Sequence, residues 1–412
     1  MMIEYNMLIP VSRRGKELSA EERIQQMTPF LLRWYQQERR ILPWRENPVP
    51  YYVWISEIML QQTRVEAMKP YFARFINALP DISALAAVEE ETLLKLWEGL
   101  GYYNRAKNLK KAAQIVVEQY GGEMPADYNK LLDLPGIGSY TAGAIASIAF
   151  GLPVPAVDGN VLRVLSRFLA DGSDIWKQSV KRQVEELLGR TMPRNEASAF
   201  NQAMMEIGAV VCLPNGLPLC EVCPMAPFCL SRILGTQLFY PVKKVKKARK
   251  VEARTVLLLI RGNRQKRQVA LRKRENVGLL AGMYEFPNLV GSLSEKEVVT
   301  YLKQQGIFFQ KLRRIEDAKH IFSHIEWHMT GYEVVVECDD MPEGTVFVEL
   351  AQLRNEYPVP SAFSAYKKWL AQSAEGGIED EGRVDEASAS CHHGGEGDSE
   401  GECADTEADL YR

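Results

Sequence analysis

Four cysteines stand at Cys212-x7-Cys220-x2-Cys223-x5-Cys229, and no histidine precedes His320. Four thiolates this close can fill a tetrahedral or cubane site unaided, so Zn²⁺ and an iron–sulfur cluster are the candidate occupants. Zinc ribbons usually space their paired cysteines farther apart; one compact loop after an apolar helix suits a cubane cluster better. The missing imidazole narrows the catalysis. Within the first 319 residues, carboxylates become the leading candidates for proton transfer. Glu57 sits in the apolar run Val53-Trp-Ile-Ser-Glu-Ile-Met-Leu-Gln-Gln-Thr63. There Ile55, Ile58, Met59 and Leu60 would desolvate its carboxyl and raise its pKa, as a general acid near neutrality requires. On the polar stripe of that helix it would be an ordinary exposed glutamate. Asp158, in Ala156-Val-Asp-Gly-Asn-Val161, stands just before a helix, where a plain N-cap is the simpler explanation.

A third pattern is Leu134-Pro-Gly-Ile-Gly-Ser-Tyr140. Gly136 and Gly138 flank one apolar residue in a tight turn that leads into a helix. Backbone N–H groups there can hold a phosphate without reading a base. Gly-x-Gly alone is weak evidence, and an interhelical turn explains it equally well. With its Leu-Pro lead-in, between two amphipathic helices, it looks like the hairpin of helix–hairpin–helix DNA-binding proteins.

These residues need a frame, and the composition supplies one. The chain has 412 residues, 46% of them hydrophobic, enough for two ordinary domains and tails. The net charge of −3 hides an asymmetry: 13 acidic residues but only two arginines fall after Gln372, leaving residues 1–372 with 48 basic against 40 acidic side chains. That basic body, net +8, suits a polyanionic partner. Seven cysteines, four of them clustered, read as metal ligation in a reducing compartment rather than a disulfide scaffold. No signal peptide or membrane-length apolar run is evident. A cytoplasmic protein is expected, nucleoid-associated if bacterial.

Helical apolar spacing recurs at Glu21–Gln37, Val53–Lys69, Glu89–Trp97, Ala106–Gln119, Thr141–Phe150, Val161–Ala170 and Ala197–Val211. We therefore expect a flexible N-terminus over residues 1–20 and an all-α domain over 21–235. The run Pro241-Val-Lys-Lys-Val-Lys-Lys-Ala-Arg-Lys250 reads as a basic linker, bounded as 236–250. Strands are expected at Arg254–Ile260, Gln268–Arg272, Gly331–Cys338 and Thr345–Glu349, with helices at Glu295–Gln305 and Ala362–Gln372. That describes a smaller α+β domain over 251–372. Residues 373–412, rich in Gly, Ser, Glu and Asp, should form a disordered acidic tail.

Hairpin, downstream Asp and four-cysteine loop together resemble the endonuclease III superfamily of helix–hairpin–helix DNA glycosylases. Leu42-Pro-Trp-Arg45, Trp54-Ile-Ser-Glu-Ile-Met-Leu-Gln-Gln-Thr63, Gly99-Leu-Gly-Tyr-Tyr103, Asp158-Gly-Asn-Val161 and Phe200-Asn-Gln-Ala-Met-Met205 narrow the resemblance to the adenine DNA glycosylases, the MutY family. It runs from about residue 25 to about residue 370. It implies a six-helix barrel, an iron–sulfur helical domain holding a 4Fe-4S cluster on Cys212, Cys220, Cys223 and Cys229, and a Nudix-like domain behind them. The first cysteine gap is one residue longer than in many family members, which the Pro- and Gly-bearing loop Leu213–Leu219 can absorb.

By the same resemblance, the partner is double-stranded DNA with adenine opposite 8-oxoguanine or guanine, bound by a monomer. Leu60 and Gln62 would fill the stack that adenine vacates, Tyr102 would wedge beside the opposite base, and Trp44, Arg45 and Gln202 would line the adenine pocket. Glu57 would protonate the base and Asp158 would stabilise the oxocarbenium-like sugar. Tyr140 would position Asp158, and Asn160 would hold the water or Glu57. In the lyases of this superfamily a Lys occupies the position of Tyr140; a phenol forms no Schiff base, so hydrolysis without efficient strand cleavage is expected. In the second domain Phe322-Ser323-His324 resembles the loop that senses 8-oxoguanine, with Ser323 as the hydrogen-bonding residue. An endonuclease III-like glycosylase–lyase on oxidised pyrimidines would need the missing Lys. A Nudix hydrolase would need a glutamate-rich metal-binding helix, which Asn288–Gly306 lacks. A non-catalytic lesion-binding protein would have no need of both Glu57 and Asp158.

Overall fold

The computed structural model describes residues 18–242, 248–263, 266–337, 342 and 344–375. The central part of the basic run, residues 1–17 and the acidic stretch past 375 lie outside the described residues. Helix α1 (Ala20–Glu38) begins at Ser19, whose hydroxyl accepts from the Glu22 N–H while the Glu22 carboxylate accepts from the Ser19 N–H. Next come α2 (Pro43–Glu46), α3 (Pro50–Leu60), α4 (Val65–Ala78), α5 (Ile82–Ala87), α6 (Glu90–Leu96) and α7 (Asn104–Tyr120). The hairpin helices α8 (Tyr128–Leu132) and α9 (Ser139–Ile148) follow, then α10 (Gly159–Phe168), α11 (Gln178–Thr191), α12 (Ala197–Val210) and α13 (Leu230–Ile233).

Two separate apolar cores divide these helices. One is built from α2 to α9 and contains Trp54, Phe75 and Trp97. The other joins α1 to α10–α12 through residues such as Ile24, Phe168 and Phe200. The chain's first helix therefore packs with its later ones, and a cleft opens between the two bodies.

The continuous helix expected over Val53–Lys69 is in fact two. α3 stops at Leu60 and α4 starts at Val65. Gln62 between them takes a left-handed φ of 59°, and Arg105 Nη1 draws the carbonyls of Ile58, Met59 and Gln61 at 2.5, 3.3 and 3.0 Å. A tertiary contact with α7 overrides local periodicity there. Helices α5, α8 and α11 lie in stretches where no helix was expected.

A seven-stranded sheet follows, in the order β3 (Tyr284–Glu285), β2 (Gln268–Lys273), β1 (Lys250–Arg261), β6 (Ile325–Val336), β5 (Phe309–Ile321). Strand β4 (Asn288–Val290) pairs with β1, and β7 (Thr345–Glu349) with β2. Only β1 and β6 run parallel, pairing from Lys250↔Ile325 to Ile260↔Val335. β1 is buried on both faces, from Val256 to Ile260, because α14 (Glu295–Gln304) covers one side and α16 (Ser364–Glu375) the other. Helix α15 (Leu350–Asn355) follows β7. The longest strand, β5, was not foreseen, and α16 continues past the domain limit expected at residue 372.

Candidate active site and cysteine loop

Glu57 comes from the first helical body and Asp158 from the second. Both line one cleft of about 790 Å³. Glu57 sits in the last two turns of α3 with only 5% of its surface exposed. Burial pushes its carboxyl up to about 7, against the opposing hydrogen bond from Tyr140. Asp158 is the N-cap of α10: its Oδ1 accepts the Val161 N–H at 2.8 Å and its Oδ2 accepts from Asn160 Nδ2 at 2.7 Å. Burial raises this carboxyl too, opposed by the bonds from Val161 and Asn160 and by the charge of Arg163. The N-cap reading and the functional one are therefore compatible in one residue.

Tyr140 and Asn160 each bond one of the two carboxyl groups. Tyr140 donates to Glu57 Oε2 at 2.5 Å, not to Asp158, and Met205 Sδ lies 3.2 Å from the same hydroxyl. Asn160 holds Asp158 rather than Glu57, and accepts from Arg163 Nη2 at 3.0 Å. The reason is helical position. Asn160 lies two residues after Asp158 in the first turn of α10, whereas α9 carries Tyr140 toward α3.

Trp44, Arg45, Leu60, Gln62, Gly138 and Gln202 line the same cleft. Gly136 does not; it is exposed in the hairpin turn at φ 79°, where a Cβ would meet Asn108 at 2.8 Å. A second cavity of about 420 Å³ opens between the first helical body and the sheet domain. Tyr102, Phe322, Ser323 and His324 line it, and Gln62 borders both spaces. Ser323 is exposed there, its hydroxyl 3.1 Å from His324 Nδ1.

Sequence reasoning passed over Glu206 and Arg163. Glu206 is buried on the cleft wall, bonded to Arg40 at 2.7 and 2.9 Å and to Arg45 Nη2 at 2.7 Å, which hold its carboxyl down to about 2. An acid inside the apolar repeat of Ala197–Val211 was the available signal. Arg163 donates to Asn160, to the Gly208 carbonyl at 2.8 Å and to the Cys212 carbonyl at 3.1 Å. It thereby joins the cysteine loop to the carboxylate site.

Cys212, Cys220, Cys223 and Cys229 surround one small apolar cavity beneath α10 and α12. Burial pushes the thiols of Cys220, Cys223 and Cys229 up, and their mutual repulsion adds to it. Four thiolates here need a positive occupant. Arg167 Nη1 stands 3.3 Å from Cys212 Sγ as one compensating charge. Four cysteine sulfurs around one cavity are a donor set that fits Zn²⁺ or an iron–sulfur group.

Two helical bodies with an acid on either side of their cleft, a glycine-bearing helical hairpin and a cysteine loop make a DNA N-glycosylase of base excision repair, and residues 55–190 match the HhH-GPD superfamily base excision DNA repair protein. Residues 255–369 match a NUDIX domain. The chain is 33% identical over 311 residues to the adenine DNA glycosylase of Buchnera aphidicola subsp. Baizongia pistaciae, covering 74% of this chain and 85% of that one. It is 35% identical over 363 residues to the human adenine DNA glycosylase, covering 74% and 66%. Among solved structures it resembles a thermostable thymine-DNA glycosylase (30% identity, TM-score 0.48, 52% of this chain and 97% of that one). The chain belongs to the adenine DNA glycosylase family. No helix among the described residues is long and apolar enough to cross a membrane.

Proposed function

We propose that the protein excises adenine from duplex DNA where it faces 8-oxoguanine or guanine, with Glu57 as the acid and Asp158 as the stabiliser of the sugar cation. One observation carries this reading: the two carboxyl groups share a cleft, and burial raises Glu57 to about 7. Burial raises Asp158 as well, but the bonds donated by Val161 and Asn160 favour its anion. A protonated and an ionised carboxyl facing one space suit cleavage of a glycosidic bond.

Adenine inside a duplex is unreachable and must be extruded. Leu60 and Gln62 occupy the vacated stack, Tyr102 wedges at the opposite base, and the base enters the space beside Trp44, Arg45 and Gln202. Glu57 transfers its proton to adenine N7. The C1′–N9 electron pair then leaves with the base, and the oxocarbenium-like sugar sits against ionised Asp158. Water adds to C1′ and its proton returns to Glu57. Tyr140 offers no amine, so the product is an abasic site and not a nicked strand. Gly136 and Gly138 present backbone amides to phosphate, and Ser323 in the second cavity meets 8-oxoguanine. Cys212, Cys220, Cys223 and Cys229 hold a 4Fe-4S cluster, which when bound cross-links and neutralises the thiolate loop. The enzyme acts as a monomer in the cytoplasm.

The deciding experiment incubates purified protein with duplexes containing adenine opposite 8-oxoguanine, followed by neutral or alkaline workup. Strand breaks at adenine only after alkali support the reading. Full single-turnover activity in Glu57→Gln or Asp158→Asn overturns it, because positioned acids contribute about 10²–10⁴-fold.

A further inference from the structure

Of the seven tryptophans, only Trp176 is exposed, at 70%. It is nonetheless held in place. Ile175 beside it is buried in the second core, and Asp174 Oδ1 accepts the Trp176 N–H at 3.2 Å. Trp176 lines the same cleft as Glu57 and Asp158, as do Gly138, Ser139 and Lys181. Lys181, five residues after Trp176, donates to Ser139 Oγ at 2.9 Å, tying α11 to the hairpin end at the start of α9, and is paired with Glu185 at 3.6 Å. Lys177, next to the indole, is exposed.

A nucleotide extruded into the cleft leaves its strand running between the Gln62 wedge on one side and the hairpin amides on the other. Trp176 stands on the hairpin side. We propose that Trp176 is a DNA contact whose indole stacks on the nucleotide flanking the extruded one on that side, with Lys177 and Lys181 beside the adjoining phosphate. The inference rests on the reading of duplex DNA as substrate and adds a contact on the adenine strand outside the adenine pocket. A π face accepts any base, so the contact carries affinity and not sequence.

The test is a protein–DNA coupling measurement. The ligand is a duplex with a tetrahydrofuran abasic-site analogue opposite 8-oxoguanine, intact or with one flanking base of the analogue-bearing strand deleted. Wild-type protein should lose about tenfold in affinity when the base at one flank is deleted. Trp176→Ala should bind the intact duplex about tenfold more weakly and lose under about twofold from the same deletion. Trp176→Phe should restore most of the coupling, and Trp176→Leu, which keeps apolar bulk, should not. Equal losses in wild type and Trp176→Ala at both flanks overturn the proposal, as does Trp176→Leu behaving like wild type. Adenine release by the wild-type enzyme tests the underlying reading separately, since the binding assay needs no excision.

Discussion

Tyr140 donates its phenolic hydrogen to Glu57 Oε2 at 2.5 Å, the carboxyl buried and the tyrosine half-buried. This bond favours the carboxylate and so holds Glu57 below the pKa that burial alone would give it. The acid must carry its proton to act, so excision should fall as pH rises through about 7. Tyr140→Phe removes the opposing bond. The alkaline limb of the single-turnover profile should then move to higher pH, even where the maximal rate drops. A limb that stays in place or moves down would mean that Glu57 is not the titrating acid.

The same shift has a stability consequence. In the unfolded chain Glu57 ionises near 4.5, whereas in the folded protein it holds its proton to about 7. Between those values the native state binds the extra proton, so its stability declines with rising pH and then levels off. Glu57→Gln removes the penalty. We expect the variant to match wild type near pH 4.5 and to exceed it by about 2–3 kcal/mol above pH 8. Chemical denaturation across that range measures the difference, and a gap that does not widen with pH contradicts the assignment.

Much of this was legible in the sequence because its signals are local. Glu57 needed only an apolar neighbourhood, Asp158 a helix start, and the cysteines their spacing. The elements that escaped depend on distant partners. The break after Leu60 is set by an arginine more than forty residues later, and β5 finds its edge position only against β6. Glu206 and Arg163 appear in sequence as charges on mostly apolar helices. Their roles exist only once Arg45 and the Cys212 carbonyl are brought beside them.

That distant arginine makes a third prediction. Arg105 donates to carbonyls of Ile58, Met59, Gln61, Leu100 and Gly101 and stacks near both Trp97 and Tyr102. It fastens the two segments that carry Gln62 and Tyr102, the residues proposed as wedges, which adopt left-handed φ of 59° and 49°. Such backbone costs about 1–3 kcal/mol and persists only when its surroundings enforce it. Lysine, with one compact ammonium, cannot satisfy both segments. Arg105→Lys should slow excision from a duplex by at least about tenfold, with a smaller loss when adenine is presented in single-stranded DNA, where extrusion is unnecessary. Equal losses on both substrates would place the defect in chemistry and not in wedging.

Ser323 lies across the second cavity from Tyr102 and Gln62. If its hydroxyl reads the lesion, Ser323→Ala should lower the preference for adenine opposite 8-oxoguanine over adenine opposite guanine by several-fold, roughly the worth of one hydrogen bond. The ratio of single-turnover rate over Kd on the two duplexes reports it. An unchanged ratio assigns lesion reading to other residues of that cavity.

Gly208 on α12 offers a way to disturb Asp158 without touching any titratable group. A Cβ at this position would lie 2.6 Å from Asn160 Cβ and 3.4 Å from its Cα, too close for the first and tight for the second. The obstruction is Asn160 Cβ itself, which no rotamer change moves, so either α10 or α12 must shift. Either response weakens the 2.7 Å bond that favours the Asp158 anion, and also disturbs the Gly208 carbonyl on which Arg163 rests. Gly208→Ala should therefore cut single-turnover excision by about tenfold or more, since small misplacements of catalytic groups are felt at that scale. Asn160→Ala in the Gly208→Ala background should add little, because both changes act through the same bond. Fully additive losses in that double variant would show that Gly208 serves helix packing alone.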